Sequence, residues 1–165
     1  MTLPSYRLLN ALGVLGSITS ICFAYFYLQQ HLGLEACPLC LIDRAIVIAI
    51  GTCFLIALVF NPAQIGQRIL SGLALLFSGL GTAVCWRHLW LQSLPEDQVP
   101  ECSPGLDYML DTFPIGETIQ TIFNSAGECA EIQWSFLGLS IPAQTMLVFI
   151  GFALLSLVQL LRKAP

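Results

Sequence analysis

Seven side chains carry the chemistry that this sequence can do. Cys37-Pro38-Leu39-Cys40 is a C-x-x-C element, and Cys102 and Cys129 follow in one later loop with 26 residues between them. A C-x-x-C can close a small, strained disulfide ring, and strained, exposed disulfides are the oxidising ones. Arg44 stands four residues after Cys40, which on a helix is the same face about one turn on. A cation there favours a thiolate at Cys40. Pro38 suits a first helical turn. The free N–H groups and dipole at a helix start stabilise a nearby anion, and cysteines so placed ionise readily. Arg87 and His88 follow a later apolar run at the same membrane face, and both can donate to an anionic or carbonyl ligand.

Plainer readings stand beside these. Cys102 and Cys129 alone read as a structural staple that removes loop-closure entropy from the unfolded chain. A four-cysteine zinc site would use the C-x-x-C, but a second pair with 26 residues between its members is poor knuckle spacing, and no metal is expected. Arg44 could snorkel to the interface. Cys22, Cys53 and Cys85 fall inside apolar runs, where cysteine behaves as a small apolar residue.

The elements that must position these groups follow from composition. The chain has 165 residues, 56% hydrophobic and only 10% charged, whereas a soluble domain carries roughly 25% charged residues. That excludes disorder and a soluble surface. Six basic and ten acidic residues exclude a nucleic-acid binder. The class left is an all-α integral membrane protein. Four runs, about 8–28, 41–60, 69–86 and 144–161, each reach the ~20 residues that cross a bilayer. The first exceeds a signal-peptide core and has bulky aromatics where a cleavage site would lie, so it reads as a retained helix. Asn61-Pro62 ends the second. Gly13 with Ser17, Gly16 with Ser20, Ser78 with Thr82 and Gly79 with Ala83 are small-xxx-small pairs that suit close helix contacts.

Charge sorts the loops. Arg7, Arg68, Arg162 and Lys163 share one side with no acid, and the positive-inside rule makes that side, with both termini, cytoplasmic. Loops of about 29–40 and 87–143 then lie outside, holding nine acids and all four loop cysteines, where disulfides persist. In the long loop, Ile115, Ile119, Ile122, Phe123 and Ala126 recur at helical spacing after Pro114. The pattern predicts a short helix over 115–126 on the membrane surface or over the bundle mouth.

Two disulfide pairs on one face suggest an electron relay, and with no haem or flavin motif the sink must be diffusible. A quinone fits, because it dissolves in the bilayer and accepts the two electrons that a dithiol releases. The sequence resembles the bacterial disulfide bond formation protein B (DsbB) family of thiol:quinone oxidoreductases. The matching residues are C-P-L-C-L-I-D-R at 37–44, R-H-L-W-L-Q at 87–92, Cys102, and G-E-C-A-E-I-Q-W-S-F-L-G-L at 127–139. The resemblance implies a four-helix inner-membrane bundle with a long periplasmic loop. It implies a DsbA-like periplasmic thiol oxidase as partner and ubiquinone or menaquinone as acceptor. Cys102 would be attacked by the partner, Cys129 would attack Cys37, and Cys40 would engage the quinone with Arg44, with His88 in support. Trp134 would anchor the loop at the interface. The rivals are a non-catalytic membrane subunit, a vitamin K epoxide reductase type of enzyme, whose C-x-x-C would come late in the chain, and an electron importer, which needs cytoplasmic cysteines.

Overall fold

The computed structural model describes residues 5–101, 106–124 and 127–162. Cys102 and Lys163 therefore lie outside the described residues. Four helices are long and apolar enough to cross a membrane. The first begins as α1 (Tyr6–Cys22), capped where Ser5 Oγ accepts from the Leu8 N–H at 3.3 Å. It runs on as a π-helix over Phe23–His31. α2 spans Pro38–Phe60 and ends at Asn61 in the left-handed conformation, ahead of Pro62. α3 spans Gln64–Gln92 and α6 spans Ile141–Leu161. Between α3 and α6 lie two short helices, α4 (Leu106–Thr112) and α5 (Ile115–Asn124). A hairpin follows, β1 (Ser135–Phe136) against β2 (Leu139–Ser140). Its two-residue turn holds both Leu137 and Gly138 at positive φ, which glycine tolerates and which matches the strand twist.

The spans run a few residues beyond the apolar runs that announce them, and two of the differences bear on the site. The first span is not uniformly α-helical, because from Phe23 the backbone adopts i→i+5 hydrogen bonding. Leu32 N–H closes it on Tyr27 C=O at 3.0 Å, and the wider spiral coincides with an outside donor, Arg44, on Ala24 C=O at 3.2 Å. Such segments frequently mark functional sites. The third span does not stop at Trp86 but continues to Gln92. No breaker intervenes before Pro95, and the added turns bury His88 and Leu91.

α3 packs broadly against both α2 and α6, and α2 packs against α1, whereas α1 and α6 barely touch. Small residues set the close approaches. A Cβ at Gly13 would strike the Phe54 ring and one at Gly81 the Phe149 ring, while one at Gly51 would meet Ser17 Cβ at 2.8 Å. Ser17 and Ser78 are buried as the small-residue pattern suggests. Gly79, however, faces open space, so its pairing with Ala83 makes no helix contact.

At the end carrying the termini, Asn10 Nδ2 donates to Gln67 Oε1 and Gln159 Nε2 to Asn10 Oδ1, each at 3.0 Å. Ser71 Oγ donates to Gln159 Oε1 at 2.7 Å, and Gln67 Nε2 donates to Ala57 C=O at 3.2 Å. This ties all four spans. Arg68 Nη2 also donates to Arg162 C=O at 3.2 Å, so the basic residues of the second connection and the C-terminus meet as the loop sorting requires. At the other end, Met109 of α4 and Ile122 of α5 are buried with Leu39, Val84, Leu91 and Cys129. α5 thus packs over the ends of α2 and α3, with Ile115 left exposed. Ala126 lies outside the described residues.

Candidate functional site

Local sequence fixes the head of α2. Pro38 occupies the first turn and Cys37 is the N-cap, its sulfur accepting from the Cys40 N–H at 3.4 Å. That cap brings the two sulfurs to 3.1 Å, so the C-x-x-C is a close thiol pair at a helix start. α3 delivers His88 against it, with Nε2 at 4.0 Å from Cys37 Sγ. The 3-10 turn Gly127–Cys129 delivers the third thiol, and the donor atoms of Cys37, His88 and Cys129 all lie within 4.8 Å of one another. Cys129 is buried, while Cys37 and Cys40 are partly accessible.

The electrostatics are unequal. Hydrogen bonding from the Cys129 thiol, then from Cys40, with His88 alongside, holds Cys37 well below the usual thiol range despite its burial. Cys129 is pushed upward for the complementary reason: its hydrogen is engaged by Cys37 and the group is desolvated. Cys37 is thus the thiolate of the cluster, and Cys129 is the thiol that faces it.

A cavity of about 740 Å³ opens beside the cluster, between α1 and α6. Its size falls within the ~300–1,000 Å³ of small-molecule sites. Cys40, Arg44 and His88 supply polar groups, while Leu12, Val148 and Phe152 are among its apolar walls. Arg44 is held from outside: Nη1 donates to Gln29 Oε1 at 2.8 Å and Nη2 to Ala24 C=O. Trp134 also lines the cavity, stacked on Phe136 and tilted against Phe23, each at 6.2 Å between ring centroids. The loop run Q-W-S-F is therefore fastened to the π-helical segment.

Of the residues singled out in the sequence, Cys37, Cys40, Cys129 and His88 come together, and Arg44 shares their cavity. Cys102 lies outside the described residues. Two neighbours were not singled out. Gln29, eight residues before Cys37, orients Arg44. Asp43 is buried on the α2 face turned toward α3 and accepts from the Cys85 thiol at 3.5 Å through Oδ2. Cys85 is therefore more than an apolar filler. An acid within an apolar run was the available signal for Asp43.

Four apolar spans with thiols gathered at one end define a class: polytopic helical proteins of thiol–disulfide chemistry. The family model for disulfide bond formation protein DsbB matches residues 6–159. A disulfide bond formation protein B from Saccharophagus degradans is 45% identical over 162 residues, 98% of this chain and 97% of that one. One from Stutzerimonas stutzeri is 42% identical, covering 99% of both chains. One from Nitrosococcus oceani is 48% identical over 134 residues, 81% of this chain and 79% of the relative. The chain belongs to the DsbB family of membrane proteins, and its role lies in disulfide bond formation.

Proposed function

We propose that the protein is a thiol:quinone oxidoreductase. It reoxidises a DsbA-like periplasmic dithiol oxidase and passes the two electrons to membrane quinone, either ubiquinone or menaquinone. One observation carries this reading: three thiols and an imidazole converge on the wall of a largely apolar cavity between two spans. A structural subunit has no need for that convergence. Placing the basic Arg7, Arg68, Arg162 and Lys163 in the cytoplasm puts the thiol end on the periplasmic side.

The chain's own residues divide the work. The partner's thiolate attacks Cys102 in the Cys102–Cys129 disulfide and forms a mixed disulfide; the partner's second thiol then closes its own disulfide and frees Cys102. Cys129, displaced as a thiolate, attacks Cys37 of the Cys37–Cys40 disulfide, and Cys40 leaves as a thiolate that then takes up a proton from water. Return of Cys102 to Cys129 restores the loop disulfide and leaves Cys37 and Cys40 as the reduced pair. Arg44, braced by Gln29 and Ala24 C=O, keeps positive charge at the cavity beside Cys40. Cys40, Arg44 and His88 are the groups that would hold a quinone head, and the apolar side chains of α1 and α6 its tail. Bound there, a quinone supplies a two-electron, two-proton sink.

The test uses purified protein in detergent with a short-chain quinone and a reduced thioredoxin-fold dithiol protein. Quinone absorbance should fall in step with dithiol oxidation, and not at all with Cys40→Ser. Arg44→Met should slow quinone reduction more than the single-turnover oxidation of the dithiol. Equal slowing of both would move Arg44 out of the acceptor site.

A further inference from the structure

Asp43 is the one buried acid among the described residues, and nothing in the thiol relay uses it. Its Oδ2 accepts from Cys85, but Oδ1 is buried with no partner. Buried polar atoms are nearly always satisfied, so such an orphan calls for an explanation. No cation among the described residues lies at hydrogen-bonding distance from it. Arg44, next in sequence, points the other way to Gln29 and Ala24. The titratable groups around Asp43 are Cys40, one turn back on its own helix, Cys37 at the head of that helix, and Cys85 and His88 on α3. The residue lines the same cavity as Cys40 and His88. His88 Nδ1 is also buried without a partner. A carboxyl group next to a thiol that must lose a proton and an acceptor that must gain one has a task that fits it.

We propose that Asp43 is the proton carrier between the Cys40 thiol and the electron acceptor, an assignment that rests on the thiol:quinone reading above. Oxidation of a dithiol yields two electrons and two protons, and a quinone becomes a quinol by taking two of each. The ionised Asp43 takes the Cys40 proton on Oδ1, so that sulfur becomes a thiolate. It then gives that proton to an acceptor oxygen as the electron pair leaves and the Cys37–Cys40 bond re-forms. Cys37 is already a thiolate in the reduced pair, its proton having passed to water at the cavity mouth, and the acceptor's second proton comes from the same water. The sum is dithiol plus quinone to disulfide plus quinol, with Asp43 returned to its starting state. An asparagine keeps the shape and the acceptor for Cys85 but cannot carry a proton.

The experiment compares wild type, Asp43→Asn and Asp43→Glu in detergent with a short-chain ubiquinone and dithiothreitol as the dithiol. Asp43→Asn is expected to slow quinone reduction at least tenfold. Exchange of the Cys37–Cys40 disulfide with dithiothreitol, measured without quinone, should stay within twofold. Asp43→Glu should recover most of the rate. The solvent deuterium isotope effect on quinone reduction should rise in Asp43→Asn. A carboxyl C=O band should change between oxidised and reduced protein in difference infrared spectra, and vanish in Asp43→Asn. Retention of the rate within twofold by Asp43→Asn overturns the proposal, as does equal slowing of both reactions or absence of the carboxyl band in wild type. If wild type itself leaves quinone untouched while exchanging with dithiothreitol, the thiol:quinone reading fails, not the Asp43 assignment alone.

Discussion

The two ends of the bundle bury polar groups in opposite ways. At the end with the termini, the amides of Asn10, Gln67 and Gln159 close on one another, on Ser71 and on a backbone carbonyl. Tyr6 Oη and Ser156 Oγ are unpartnered there, but both are neutral hydroxyls. At the thiol end the orphan atoms belong to Asp43 and His88, which ionise. A saturated network fixes helices and has no capacity left over. An unsaturated one holds groups that can change partner or proton. The first is suited to holding the spans together, the second to chemistry at the expense of some stability.

The largest effects should therefore separate by end. Cys37→Ser, Cys40→Ser or Cys129→Ser should each remove turnover to background in the coupled quinone assay, with unfolding in detergent little changed. Cys102→Ser should do the same. Full turnover in any one variant breaks the relay and makes the loop cysteines a staple.

Next in size is a contrast inside the cluster itself. In reduced protein Cys37 is held as thiolate by the Cys129 and Cys40 thiols and His88, and Cys129 is pushed the other way. Only thiolate alkylates, and an ordinary thiol is under about 1% ionised near pH 6. The sign follows: Cys37, lowered, keeps reacting as pH falls through the ordinary thiol range, while Cys129, raised, does not react there. Iodoacetamide labelling near pH 6, read by peptide mass spectrometry, should favour Cys37 over Cys129 by more than about tenfold. Equal labelling would mean that the thiols do not polarise one another.

Gln67→Leu tests the opposite end. It removes a donor to Ala57 C=O and the acceptor for Asn10. Interhelical hydrogen bonds in membranes are worth about 0.6–2 kcal/mol, so a loss of about 1–2 kcal/mol is expected in a reversible denaturation assay. Quinone reduction per folded molecule should be unchanged. A drop in that specific rate would show the two ends to be coupled.

The same contrast explains what could be read in advance. The spans were legible because hydropathy is a local property, and only their ends shifted, where α3 carries His88 inward on an added turn. The head of α2 was legible because Cys37, Pro38, Cys40 and Arg44 are neighbours in sequence and one helical turn relates them. The amide network was not, since its partners stand 57 and 149 residues apart and each reads alone as an ordinary polar residue near a span end. Nor was the Asp43–Cys85 contact, which depends on how α2 and α3 are rotated against each other, with 42 residues between.

That contact gives the smallest effect and the finest discrimination. Read from sequence, Cys85 is a small apolar residue, and Cys85→Ala should then equal Cys85→Ser. Read from structure, its S–H is the one donor to Asp43 Oδ2 among the described residues. Cys85 is fully buried, so water cannot readily replace it. Serine keeps an O–H at that place, whereas alanine leaves both carboxyl oxygens without a donor. A lost weak donor of this kind should cost about 1 kcal/mol or less of stability, with a few-fold change in quinone reduction. Cys85→Ser should stay near wild type in both measurements. Cys22, exposed on α1, is the reference: its alanine and serine variants should be indistinguishable. If Cys85 behaves like Cys22, Asp43 does not depend on α3 for its orientation, and the polar pairing at this end stops at the thiol cluster itself.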